Sequence, residues 1–192
     1  MRHSLVTKAL HALLACAILF QLLVSLVMEE PHPPRRPIET PFLLHEWVGM
    51  ASLAIVILFW LWTLVRRSEA GVGAFFPWFS AARRSAIFAD LRAYGEALRR
   101  LEMPDATVHT AFANAVHGLG LLLATYLAVT GSVVFWQMDA TGKMTGLGHS
   151  FAELHGALAN VMWAYLIGHA GMALLHQLLG EGILRKMWTI KG

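Results

Sequence analysis

Residues 154–177 read LHGALANVMWAYLIGHAGMALLHQ, a stretch long enough to cross a bilayer, free of Asp, Glu, Lys and Arg, and interrupted by His155, His169 and His176. A helix turns about 100° and rises about 1.5 Å per residue, so His169 returns to within roughly 40° of His155, about 21 Å further along the axis. His176 falls within roughly 20° of the azimuth of His169, about 10 Å beyond it. One face of this helix therefore presents imidazoles at stepped depths. Ionisable side chains inside hydrocarbon mark a functional site by default, and the rest of the chain is read as supplying partners to that face.

The chain has 192 residues, 57% of them hydrophobic and only 14% charged. Crossing a hydrocarbon core of about 30 Å takes about 20 residues in a helix, and four stretches are long enough: 8–28, 42–65, 111–136 and 152–179. This predicts an all-α membrane protein, a four-helix transmembrane bundle forming a single domain over residues 1–192. The net charge of +3 is small and scattered, which speaks against a nucleic-acid partner. One cysteine excludes an internal disulfide framework and any multi-cysteine metal or iron–sulfur site. That residue, Cys16, follows Leu13-Leu14-Ala15 inside an apolar run that continues to Val27, so cleavage there is not expected.

Five prolines among residues 29–41 cannot continue a helix and predict an extended surface connector. The loop 66–110 opens with the aromatic cluster Phe75-Phe76-Pro77-Trp78-Phe79, suited to a membrane–water interface. Ser80 then reads as an N-cap. From there Ile87, Leu91, Tyr94, Leu98 and Leu101 share one helical face, opposite Arg83, Arg84, Arg92 and Arg99. This is an amphipathic helix between spans 2 and 3, lying on the lipid or docking a partner, and Met103-Pro104-Asp105 ends it. The third span carries Asn114, His117, Thr125, Tyr126 and Thr130. With a cytoplasmic amino terminus, the inside segments hold 12 of the 15 Lys and Arg, and only Arg35, Arg36 and Lys143 lie outside. The positive-inside rule selects that arrangement, with both termini cytoplasmic.

Depth then sorts the histidines. His45 opens the second span and His155 the fourth, so these share the outer side. His11, His117, His169 and His176 share the inner side, while His3, His32, His109 and His149 fall in tails and loops and are expected to be solvated. Paired imidazoles at two depths of an apolar helical bundle suit haem iron held by two axial histidines. Gly49, one turn after His45, and Gly168 and Gly171, flanking His169, leave room for a flat ring. Two protein ligands per iron leave no open position, which suits electron transfer, and no catalytic residue is singled out. A zinc site lacks Cys, Asp or Glu partners in the outer layer. A non-redox proton or metal transporter remains the alternative reading of the same residues.

The segments LHALL (10–14), LHEWVG (44–49), HGLGLLLATYLAVTG (117–131) and LHGALANVMWAYLIGH (154–169) resemble the bacterial cytochrome b561 family, whose broader membership includes the b-type cytochrome subunits of hydrogenases. The most specific part is His-x(13)-His in the fourth span, with Ala159-Asn160 following the first His. The resemblance covers all four spans and implies two b-type haems, one held by His11 with His169 and one by His45 with His155. It selects His169 over His176 as the inner ligand. It also implies a multi-pass protein of the bacterial inner membrane that moves electrons between the quinone pool, ubiquinone for example, and a periplasmic redox protein such as a c-type cytochrome. His176 then becomes a candidate quinone contact and His117 a neighbour standing behind an axial ligand. The loop 66–110 is longer than in compact members resembling superoxide–ubiquinone oxidoreductases. It points to a subunit serving a redox partner, with superoxide oxidation at the outer haem as the alternative.

Overall fold

The computed structural model describes residues 3–29, 39–66, 69–100, 102, 110–180 and 182–188. The elements are α1 (Leu5–Val24), α2 (Thr40–Val65), the short α3 (Val72–Phe75), α4 (Ala81–Arg99), α5 (Thr110–Gln137), α6 (Gly146–Leu178) and α7 (Ile183–Trp188), with a 3-10 turn at Pro77–Phe79. Four of these, α1, α2, α5 and α6, are long and apolar enough to cross a membrane. All four expected spans are therefore present, with shifted ends.

Local hydrogen bonding explains the shifts. α1 starts at Leu5 because the Ser4 hydroxyl accepts the Thr7 N–H at 3.2 Å, an N-cap. It stops at Val24, where the Ser25 hydroxyl donates to the Leu22 carbonyl at 2.8 Å and competes for the last turn. α6 starts at Gly146, six residues earlier than expected, because Thr145 Oγ1 accepts the Gly148 N–H at 3.2 Å while donating to Gln137 Oε1 at 2.6 Å. Between α5 and α6 the chain reverses around Asp139. Its carboxylate accepts the N–H groups of Thr141 (2.8 Å) and Lys143 (3.1 Å) and the Thr141 hydroxyl (2.6 Å), and Gly142 supplies a φ of 81°. These bonds, that from the Thr141 hydroxyl foremost, hold the Asp139 carboxyl below its usual range.

The chain forms two compact units. One comprises Ala9–Trp60 and Leu122–Tyr165. Its interior draws on Leu10, Leu14 and Leu22 of α1, Val56 and Phe59 of α2, Leu123 and Ala124 of α5, and Met162 of α6, which is 1% exposed. The Trp60 indole donates to the Thr125 hydroxyl at 2.9 Å, as a buried N–H in apolar surroundings must find an acceptor. Leu13, Leu19, Leu58, Val129 and Val161 face outward, an apolar exterior suited to lipid.

The other unit comprises Met1–Lys8, Leu61–Leu121 and Leu166–Gly192. A polar knot lies at its centre. Glu69 accepts the Ser4 N–H and the Thr7 hydroxyl, each at 2.9 Å, and lies 3.1 Å from His3 Nδ1 and 3.5 Å from the buried guanidinium of Arg66. The Trp62 indole donates to Thr7 at 2.8 Å, Arg66 donates to the Ala70 carbonyl at 2.8 Å, and the guanidinium stacks 5.0 Å from the centroid of Phe75. His3 is therefore tied to Glu69 instead of being merely solvated, as its place in the tail suggested. His149 is exposed as expected; His32 and His109 lie outside the described residues. Phe75 packs on α5 so closely that a Cβ at Gly118 would stand 2.1 Å from the Phe75 carbonyl oxygen, and only glycine fits there.

The amphipathic helix is α4, and the Ser80 hydroxyl accepts the Arg83 N–H at 3.4 Å. Its sheltered face differs from the expected one. Ile87, Asp90, Tyr94 and Ala97 are half-buried, whereas Leu91 is exposed. The side chain of Leu98, and Leu101 with the expected helix stop at 103–105, fall outside what is described. The face rotates because α4 packs on the start of α5. Asp90 accepts the Phe112 N–H at 2.9 Å, and Tyr94 meets the Phe112 ring edge-on, centroids 5.7 Å apart.

The knot makes a pH-dependent prediction. Burial acts to raise the Glu69 carboxyl, but the hydrogen bonds from Ser4, His3 and Thr7 outweigh it and hold the group at about 2. A carboxyl depressed on folding stabilises the fold above its ordinary value of 4.5, and that contribution fades as pH falls towards 2. Glu69→Gln should lower the melting temperature of the detergent-solubilised protein at pH 7 by about 2–4 °C, the shift for a loss on the order of 1 kcal/mol in a chain this long. The difference should shrink as pH drops through that window. An equal difference at pH 7 and pH 3 would mean that the carboxylate charge is not what stabilises the knot.

Candidate functional site

His45 stands in the second turn of α2 and His155 in the third turn of α6, and the structure brings their rings together. Their centroids are 6.0 Å apart and the ring planes cross at 88°. His155 Nδ1 lies 2.9 Å from the hydroxyl of Thr130 on α5. That hydroxyl also lies 2.8 Å from the Tyr126 carbonyl and 3.1 Å from that of Leu127. A carbonyl only accepts and a hydroxyl has one proton, so Thr130 donates to its own helix and accepts the Nδ1–H of His155. This network assigns the tautomer and leaves the lone pair on Nε2. Beside Thr130, a Cβ on Gly131 would stand 3.0 Å from Cε1 of His155, so the glycine clears space for the ring.

On α2, the Gln21 amide donates to the backbone carbonyl of His45 at 2.8 Å. A Cβ on Gly49 would lie 2.9 Å from that amide nitrogen. The room at Gly49, expected to receive a flat ring, is thus filled by Gln21. His45 Nδ1 is buried without a hydrogen-bond partner. A buried polar atom left unmet costs about 1–3 kcal/mol, which favours a ligand that engages this ring.

Geometry tests whether a haem iron suits the pair. With metal–imidazole bonds of about 2.0–2.1 Å, as for zinc, two imidazoles on opposite sides of one metal have centroids about 6–6.5 Å apart. The 6.0 Å separation is compatible with that, and crossed ring planes are free to occur about such an axis. Among the described residues, no three His, Cys, Asp or Glu side chains gather at one point. A structural zinc site needs four ligands, whereas haem iron takes two from the protein.

In the unit containing 61–121 and 166–192, His117 and His169 meet edge-on with centroids 5.1 Å apart and planes at 83°. That is closer than one metal between them would allow, so they stand as neighbours and not as a trans pair. His117 Nδ1 lies 2.7 Å from the Ala113 carbonyl, which makes Nδ1 the protonated nitrogen. A Cβ at Gly168 or Gly171 would meet nothing within 4 Å, so the backbone beside His169 is open as the sequence suggested. His176 is 5% exposed. His11 is half-buried on α1; its expected pairing with His169 joins residues of different units.

Thr130, Gly131 and Gln21 were not singled out as site residues by sequence reasoning. Thr130 and Gly131 carried a usable signal: a hydroxyl and a glycine side by side in an apolar span. A sequence model of one family, described as prokaryotic cytochrome b561, matches residues 2–190. No curated protein and no solved structure matches the chain.

The close approach at Gly131 is testable. Gly131→Ala should displace the His155 ring by a few tenths of an ångström, at a cost on the order of 1–3 kcal/mol, and so shift the visible bands or lower the occupancy of any haem the pair holds. Gly95→Ala on α4, where a Cβ meets nothing within 4 Å, should leave the spectrum alone. Identical spectra for both variants would mean the ring tolerates the added carbon.

Proposed function

The chain belongs to the prokaryotic cytochrome b561 family, membrane b-type cytochromes of electron transfer, and from that premise we propose that it carries electrons between the quinone pool and a periplasmic redox protein such as a c-type cytochrome. Two b haems, each cycling one electron at its iron, supply that chemistry when bound. His45 with His155 would hold one and His11 with His169 the other. The observation that carries the reading is the pair of facing imidazoles on α2 and α6, 6.0 Å apart, with the Nδ1 of His155 committed to Thr130 and its Nε2 left to a metal.

The chain's own residues do the rest. In a membrane the apolar helices would keep water from the half-buried rings of His45, His155 and His169, which raises the cost of any uncompensated charge there. His117 stands against His169 and, with its Nδ1 held by the Ala113 carbonyl, fixes one edge of that ligand's surroundings. His176 follows His169 by seven residues on nearly the same azimuth and is sheltered from bulk water. It would donate a hydrogen bond to a quinone carbonyl and pass the proton that accompanies reduction, since an imidazole can both donate and accept a proton. The distribution of Lys and Arg supports a topology with both termini, and with them the His169–His176 end of α6, on the cytoplasmic side of a bacterial inner membrane.

Replacement of the proposed ligands tests the assignment. His155→Ala should lose one haem of two and keep the other, and His169→Ala should lose the other, as counted by pyridine haemochrome on purified protein. Retention of both haems in both variants would refute the ligand set. His176→Ala should keep both haem spectra yet slow electron exchange with a soluble quinone analogue by about tenfold, roughly 1.4 kcal/mol in the barrier; an unchanged rate would place quinone chemistry elsewhere.

A further inference from the structure

We infer that Thr130 is the positioning residue of the haem held between His45 and His155: its hydroxyl fixes which nitrogen of His155 meets the iron and the angle at which that ring is held. The inference rests on the proposed reading of these two histidines as an axial pair.

A buried threonine in a helix commonly bonds back to the carbonyl four residues earlier and does nothing else. Thr130 does that with Tyr126, but its oxygen also receives His155 Nδ1 at 2.9 Å. At 2% exposure no water competes for the lone pair. The hydroxyl proton is already committed to the carbonyls of its own helix, so the oxygen faces the imidazole only as an acceptor. Three consequences follow. His155 is held as the Nδ1–H tautomer, with Nε2 free to bind a metal. Its ring is held at Nδ1 by the hydrogen bond and lies close against the bare backbone of Gly131, at 88° to His45. Finally, a hydrogen bond from the far nitrogen raises the basicity of a ligating imidazole, which favours the ferric over the ferrous state.

Those consequences are read spectroscopically on the haem-loaded protein. Crossed axial imidazole planes give strongly anisotropic low-spin ferric EPR signals, and parallel planes give ordinary rhombic ones. Thr130→Val, nearly isosteric but without the acceptor, should keep two haems per chain. The EPR signal that His155→Ala removes should move towards the rhombic type, and the midpoint potential of the same haem should rise. Thr130→Ser, which keeps the hydroxyl, should retain the wild-type signal and potential, as a purely space-filling role for Thr130 would not require. If the valine variant fails to hold that haem, Thr130→Ala and Thr130→Ser decide in the same way: serine must hold haem with the wild-type signal and alanine must not. Wild-type EPR and potential in Thr130→Val with both haems bound would overturn the inference while leaving the axial pair intact. Two haems in His155→Ala would overturn the axial pair itself.

Discussion

An imidazole in hydrocarbon has two nitrogens to satisfy and no water to satisfy them, and the arrangement around His155 answers that constraint. In a bilayer interior every polar atom must find its partner inside the protein. Thr130 takes one nitrogen of His155 and is itself anchored to the carbonyls of its own helix, so no further polar group is needed on that side. The ring can come this close only because the next residue is Gly131. The other nitrogen of His155 is not engaged by Thr130, the ring of His45 lies 6.0 Å away, and His45 Nδ1 is itself buried without a partner. The whole arrangement depends on α5 and α6 meeting in one register, which the turn around Asp139 sets. Its carboxylate gathers two N–H groups and a hydroxyl, and Thr145 at once caps α6 and holds Gln137 at the end of α5.

The same logic recurs in the other unit with different chemistry. There α5 presents His117 to His169, as it presents Thr130 to His155. A hydroxyl meets one histidine and an imidazole the other. The Glu69 knot shows what happens where charged groups are available: Arg66, Glu69, Thr7 and Trp62 bond to one another, with Arg66 Nε left buried without a partner, and the Arg66 guanidinium covers Phe75. That knot joins the start of α1 to the segment after α2 and brings the tail residue His3 into the fold.

Hydropathy and histidine spacing made the four membrane-length helices legible, because both signals accumulate over 20 residues or more. The ends were less legible, since each is set by one or two side-chain hydrogen bonds: Ser4 and Thr145 lengthen their helices, and Ser25 shortens its own. The meeting of His45 with His155 was readable from depth alone. Its supports were not, because whether a polar residue in a span faces lipid, packs, or backs a ligand depends on rotation about α5. Gly49 shows the same limit: a glycine announces that something comes close, and here the neighbour is the Gln21 amide. The face of α4 was misjudged because apolar periodicity gave no weight to Asp90, whose carboxylate is what seats the helix.

That seat also changes how the long loop relates to the site. Periodicity alone left α4 as a helix lying on lipid or awaiting a partner, detachable from the spans. In the structure its Asp90 accepts the N–H of Phe112, one of the first donors of α5 and therefore without a partner in its own helix. A carboxylate at a helix amino terminus also meets the positive end of the helix dipole. The adjacent residue, Ala113, offers the carbonyl that holds His117 Nδ1, and His117 in turn meets His169. A continuous chain of contacts thus runs from α4 through the first turn of α5 to an imidazole of the site. α4 is in this respect part of the framework around His169, while Phe88 and Leu91 on its outward face stay exposed. One helix therefore sets the start of α5 with its sheltered side and keeps an apolar surface on the other, and its length is explained by the first role before any partner is invoked for the second.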